Sequence, residues 1–230
     1  MTLTEEGKSL LRLCRGQKEL EGQFLGLVSG AGRHEISLTL VGPTSAMSSR
    51  IADSCQQLYK KYPFLNLHLR IDDHSDLIEL VRRGEADLAI VPPGEVPNEM
   101  DSKVLKPDRY LLVSSSKWNG RKLQEILKNE RVIDFYESDA TTQKYLSRFS
   151  LEKYVKRSRL FVNNNEALLR FFKAEIGFGT LTETVATPSI KSGELIALNQ
   201  GKAMEDTLAL VWYSRPVKQE YFEALIRTIT

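Results

Sequence analysis

Two cysteines and three histidines among 230 residues leave little from which to build a metal centre. Cys14 and Cys55 fall on separate helical stretches, and His34, His68 and His74 are scattered singly, so no ligand spacing emerges and no metal site is expected. Cysteine this sparse suits a reducing cytoplasm, and Cys55 is expected to pack as a small apolar side chain. Long hydrophobic runs are missing too. Without about eighteen consecutive apolar residues no membrane span is expected, and without a basic, apolar and small-residue series no export signal is expected. Charge of one sign is also lacking: the net charge is +2, so nothing in the overall balance demands nucleic acid or a membrane surface. The chain by itself is expected to bind DNA poorly. Catalytic signatures are absent as well, with neither a Gly-x-Ser-x-Gly elbow nor a Cys/His pairing, so no enzyme and no cofactor are expected. Gly177-Phe178-Gly179 is not a dinucleotide fingerprint, because it follows a helix and lacks the third glycine. His74 beside Asp72, Asp73 and Asp76 reads as a solvated helix start rather than a catalytic base.

What is there describes an ordinary globular protein, 41% hydrophobic and 27% charged, long enough for one large or two small domains. Residues 4–28 read as a helix with Thr4 as N-cap and Glu5 and Glu6 in the first turn. Leu10, Gln17 and Phe24 recur at seven, as do Leu13, Leu20 and Leu27, which is the seam of a short coiled coil or the face of an amphipathic helix folded onto its own domain. Ser29 to Arg33 has the composition of a linker.

From Glu35 the pattern becomes α/β. Ile36, Leu38 and Leu40 alternate as a strand, and a helix beginning near Ser48 places Ile51, Cys55, Leu58, Tyr59 and Tyr62 on one face, ended by Pro63. Leu67, Leu69 and Ile71 form a second strand, Ser75 caps a helix through Arg83, and Ala86 to Val91 is a third strand. Right-handed parallel crossovers follow from that order. Gly94 to Asn98 is expected to carry the chain into a second α/β lobe. Its strands are Val104-Leu105, Tyr110–Val113, Val132–Tyr136 and Leu160–Asn163, and its helices 122–128, 142–149 and one burying Ala167, Leu168, Phe171, Phe172 and Ile176. Thr207 to Tyr213 reads as a return strand and Tyr221 to Ile229 as a helix going back to the first lobe.

The most informative stretch is Gly84 to Pro93, where a helix ends at glycine and feeds an apolar strand stopped by Pro92-Pro93. In open α/β sheets ligands sit beyond the carboxyl ends of strands, where both Gly42-Pro43-Thr44-Ser45 and Val91-Pro92-Pro93 would lie. With Leu3 to Leu11, Leu77 to Val91, Asn163 to Leu168, Gly177 to Thr180 and Gly193-Glu194-Leu195, in this order, the chain resembles the regulatory part of a LysR-type transcriptional regulator. The resemblance implies two Rossmann-like α/β lobes of the type-2 periplasmic-binding-protein fold preceded by a linker helix. Residues 1–33 would be linker and dimerisation helix with a hinge, 34–97 with 208–230 the first lobe, and 98–207 the second. The family's N-terminal winged helix-turn-helix has no counterpart here, so the sequence reads as a truncated or engineered regulatory fragment that begins at the linker. The resemblance further implies a cytoplasmic sensor of a small-molecule effector in the inter-lobe cleft. It would be a homodimer or homotetramer, touching DNA only through the absent domain. A solute-binding protein of a transport system is the alternative on the same fold.

Effector-binding candidates follow from the strand ends. Thr44 and Ser45 either hold the effector or, with Ser48 and Ser49, cap a helix; Pro92 ends the third strand beside them. Asp134 to Asp139 crowds three carboxylates, which attract a cationic group, and the run is similar to the regulators of lysine and arginine export. From it Phe135, Glu137 and Asp139 are candidates, with helix capping as the other role of Asp139. Asn163 and Asn164 end a strand, one to cap the next helix and one for the ligand. Phe178 and Thr180, in a glycine-bracketed turn, line the same pocket in relatives. Thr182 stands where the family often has proline.

Overall fold

The computed structural model describes residues 35–215 and 219–230, together with Thr4 and residues 6, 7, 10, 11, 13, 14, 16, 17, 20, 21 and 24. Described positions from 6 to 24 are helical, and Thr4 Oγ1 accepts from Gly7 N at 3.2 Å, the capping geometry expected of it. Leu27, the expected helix end and the Ser29–Arg33 linker lie outside the described residues. Two compact units account for the rest: one of the described residues up to Lys106 with 207–230, the other of residues 107–206.

The first unit is built on a five-stranded sheet. Its strands are β1 (Ile36–Gly42), β2 (Leu65–Ile71), β3 (Leu88–Val91), β4 (Asp101–Val104) and β11 (Ala209–Trp212), in the order β2-β1-β3-β11-β4. β1 runs parallel to β2 and β3, so their carboxyl ends share one edge. The side-chain period of two decides the layers. Leu38, Leu40, Leu88, Ile90 and Leu210 face helices α1 (Ala52–Lys61) and α7 (Glu220–Thr228), whose Cys55, Leu58, Phe222 and Leu225 complete that core. Val41, Ala89, Val91 and Val211 face α2 (Leu77–Arg82) through Ile78 and Val81. Each such leucine or isoleucine removed from water contributes about 1.5–3 kcal/mol. Lys103 of β4 reaches under α7 and donates to the carbonyls of Ile226 at 2.7 Å and Ile229 at 2.8 Å, closing the end of that helix with a cation.

The second unit repeats the scheme with β5 (Asp108–Ser115), β6 (Arg131–Asp134), β7 (Leu160–Phe161), β8 (Gly177–Thr182) and β10 (Ala203–Asp206), in the order β10-β5-β8-β6-β7, while β9 (Leu195–Ala197) also pairs with β5. β6, β7 and β8 are mutually parallel. Tyr110, Leu112, Val132 and Phe178 pack on the side of α3 (Leu123–Asn129) and α4 (Thr141–Arg148), with Ile126, Leu127, Tyr145 and Leu146. Leu111, Val113, Ile133 and Leu181 pack on the side of α5 (Asn165–Lys173) and α6 (Glu183–Lys191), with Leu168, Phe172 and Ala186. Tyr145 is fully buried, and its hydroxyl is satisfied by donating to Lys202 O at 2.6 Å and accepting from Asn199 Nδ2 at 3.2 Å.

Several expectations change. The chain turns helical at Thr44 rather than near Ser48: Thr44–Ala46 is one α-helical turn, Met47–Ile51 a π turn, and only then does α1 begin. Pro43 sets this early start, since its carbonyl accepts from both Ala46 N and Met47 N. Asp76, not Ser75, caps α2, accepting from Glu79 N at 3.0 Å. Val104 opens no second lobe: β4 pairs with β11 and is an edge of the first sheet. Ile176, assigned to a buried face, is exposed, and so is Tyr59, which shares a helical face with buried Cys55 and Leu58. Gly177 to Thr180 is strand rather than turn. A Cβ at Gly177 or Gly179 would overlap the carbonyl oxygen of Arg131 or Ile133, so glycine is what lets β8 lie this close to β6.

Candidate functional site

In the first unit Thr44, Ser45 and Pro92 come to one sheet edge, because they follow the carboxyl ends of two parallel strands, β1 and β3. Thr44 is half-buried, and it caps no helix amide. Its N–H donates to Asp73 Oδ1 at 2.9 Å and its hydroxyl to Asp73 Oδ2 at 2.6 Å, so one carboxylate takes both donors. With both donors committed, the Thr44 hydroxyl oxygen retains only acceptor capacity with a carboxylate behind it, an arrangement that favours a donor carrying positive charge. Ser48, placed with the capping serines, donates instead to Thr44 O at 2.6 Å. Ser45 is half-buried, and Pro92 is exposed at the start of a 3-10 turn, Pro93–Glu95.

The acidic residues near Thr44 each have local work. Asp72 accepts from Ser75 N at 2.9 Å, His74 N at 3.2 Å and Arg70 at 2.8 Å. Those bonds, the Ser75 amide first, hold its carboxyl down to about 2. Asp73 secures Thr44 and Asp76 caps α2, which gives the cluster around His74 a structural explanation. Among the described residues no three His, Cys, Asp or Glu side chains converge as a metal-binding group.

In the second unit Phe135, Asn163 and Thr180 gather at the carboxyl edge of the parallel trio β6, β7 and β8. Asn164 proves to be the helix cap, its side chain accepting from Ala167 N at 3.0 Å, which leaves exposed Asn163 as the asparagine without that role. Phe178 is fully buried in the core beneath α3 and α4 and presents no side chain to a ligand. Thr180 Oγ1 lies 2.9 Å from Thr142 Oγ1, and Thr142 Oγ1 also accepts from Thr180 N at 3.2 Å. Thr142, buried at the start of α4, was not a sequence candidate.

The acidic run differs most from its expectation. Asp134 is buried and pairs with Arg159 at 2.6 Å, and its other oxygen has no hydrogen-bond partner among the described residues. Burial pushes its carboxyl up from the usual range, outweighing the Arg159 guanidinium that acts the other way. Asp139 turns back onto its own loop, accepting from Thr141 N at 2.8 Å and Phe135 N at 3.2 Å. Ala140 is the N-cap of α4, so Asp139 closes the loop just before that helix rather than standing at the cap position. Phe135 meets Tyr136 edge to face at 5.8 Å. Glu137 is exposed. The three carboxylates therefore do not form an open trap for a cation, and Arg159, hidden in sequence within the basic stretch Lys156 to Arg159, is, with Thr142, a residue that the sequence did not point to.

A family model described as the LysR substrate binding domain matches residues 31–230. Among solved structures, full-length LysG from Corynebacterium glutamicum with its effector arginine bound superposes with a TM-score of 0.79 at 20% identity, covering 99% of this chain and 78% of that one. ArgP from Mycobacterium tuberculosis gives 0.77 at 20% identity, covering 98% and 77%. The C-terminal domains of a LysR family protein from Agrobacterium tumefaciens give 0.72 at 14% identity, covering 84% and 94%. No curated protein matches the chain. Both units together have the type-2 periplasmic-binding-protein-like fold of these regulatory domains.

Proposed function

Because the chain belongs to the LysR substrate-binding domain family, we propose that this effector-binding domain senses a small polar metabolite, with the basic amino acids as first candidates. The family is one of transcriptional regulators rather than enzymes, and the match gives no support to a transport protein. The observation that carries the ligand class is Thr44, whose hydroxyl and amide donate to Asp73 and which therefore faces a ligand as an acceptor backed by negative charge. Exposed Glu137 adds a second acceptor of that kind, and the solved LysG complex holds arginine as its effector. Ser45, Pro92, Phe135, Asn163 and Thr180 are the further contacts. Asp139, Asn164 and Phe178 act through the backbone they shape.

Binding would work by population shift: an effector that prefers one arrangement of the protein biases how the regulator assembles on DNA. The assembly is a homodimer or homotetramer working in the cytoplasm and acting on DNA. Two features support self-association. Leu10, Leu13, Leu20 and Phe24 are 60%, 60%, 46% and 64% exposed, a seam that a partner helix would cover. β2 is an edge strand, and with α1 it would meet the region 164–175 of a second copy.

Thermal melting against a panel of amino acids and small carboxylates tests the ligand class. Lysine or arginine should raise the melting temperature, since a ligand at a hundred times its Kd stabilises the folded state by about 2.7 kcal/mol. A rise with anionic metabolites alone would refute it. Monomeric mass in sedimentation would refute the assembly.

A further inference from the structure

We propose that Arg159 is the positioning residue that shapes the loop after β6, and that it leaves Glu137 as the carboxylate by which this loop reads the charge of a ligand. The inference rests on the functional reading above and deepens it.

One guanidinium meets four acceptors. Nε of Arg159 donates to Asp134 Oδ2 at 2.6 Å, Nη1 to Glu137 O at 3.2 Å, and Nη2 to Tyr136 O at 3.4 Å and to Asp139 O. The side chain also lies over the ring of Phe161, 5.1 Å from its centroid, so it is steadied from a second direction. Asp139 then ties the two ends of the loop together through the amides of Phe135 and Thr141. A planar fork with five donors can span this set of acceptors, whereas an ammonium is a point charge with three donors on a flexible stem.

The consequence concerns charge. Asp134 is matched by Arg159 inside the fold, its side chain only 3% exposed. Asp139 is committed to two backbone amides. Glu137 is held outward by its own carbonyl, which Arg159 fixes, while its carboxylate makes no hydrogen bond among the described residues and remains solvent-exposed. Loop shape and charge recognition are thus separate tasks carried by separate residues, although the sequence presents them as one acidic run.

The test combines amide hydrogen exchange with calorimetric titration, using arginine and its neutral isostere citrulline as probes. Arg159→Lys should speed exchange of the Phe135, Asp139 and Thr141 amides at least about tenfold while amides of β5 and β8 stay protected. It should weaken arginine and citrulline by the same factor, about tenfold, because it disturbs shape and not charge. Glu137→Gln should leave exchange unchanged and weaken arginine alone by about tenfold. If Arg159→Lys does not fold, Asp134→Asn serves in its place with the same expected pattern. Unchanged loop exchange would overturn the positioning role, and an intact preference for arginine in Glu137→Gln would overturn the role of Glu137. Wild-type protein that binds neither probe would sink the functional reading and the charge-reading role with it, while exchange would still decide whether Arg159 holds the loop.

Discussion

Thr44→Val removes one hydroxyl at nearly constant volume from the edge of the first sheet. In the folded protein that hydroxyl donates to Asp73 at 2.6 Å, with both partners half-buried. A hydrogen bond to a charged group contributes about 1.5–3 kcal/mol, and partial exposure places this one near the lower end. Asp73 keeps the Thr44 amide at 2.9 Å, so the carboxylate is not stranded. The expected cost is therefore about 1.5 kcal/mol, which for a chain of this size lowers the melting temperature by about 3–6 °C. Urea denaturation at pH 7 reads the same quantity, and Thr44→Ser, which restores the donor, should recover most of it. The same substitution removes the acceptor offered to an effector, so affinity for arginine should fall about tenfold in protein that is still folded at the assay temperature. Wild-type stability in Thr44→Val would refute the Asp73 pairing, and lost stability with unchanged affinity would make Thr44 a purely structural residue.

Other consequences are more local. Lys103→Met strips the cation from the end of α7 and should destabilise the first unit by about 1–2 kcal/mol, measured by urea denaturation, with no change in any effector affinity. Cys55 is fully buried, and burial pushes its thiol up to about 11, whereas Cys14 is exposed. A thiol reagent at pH 8 should modify one cysteine in native protein and both after denaturation. Asp72 has a folded pKa near 2, below its unfolded value near 3.8, so its contribution is fully present above pH 4 and is lost as pH falls through about 2. Asp72→Asn should flatten the dependence of urea midpoint on pH across that window while lowering the midpoint at pH 7.

Much of the fold was legible because it rests on local periodicity. Leu38 and Leu40 alternate, Cys55 and Leu58 share a helical face, and Leu168 and Phe172 are one turn apart, and each pair entered a core as its spacing required. What could not be read depends on partners distant in sequence. β4 is placed by β11, more than a hundred residues later, so nothing local assigns it to the first sheet. Thr44 meets Asp73 across 29 positions and Arg159 meets Asp134 across 25, and neither pair carries a spacing signal. For the same reason the acidic run looked like a cation trap: its counter-ion, Arg159, lies 25 positions from Asp134. Phe178 was misread because a strand was taken for a turn, which hid the alternation that sends its ring into the core. The cap of α2 could have been found. Asp76-x-x-Glu79 carries the capping-box spacing that Ser75 lacks.

Calorimetric titration of arginine and lysine into the purified protein decides whether this chain binds a small cationic metabolite through acceptors at the strand ends. Saturable heat with one ligand per chain is expected for at least one of the two amino acids, weakened about tenfold in Thr44→Val and in Glu137→Gln. No saturable heat with either, alongside clear binding of an anionic metabolite, would contradict it.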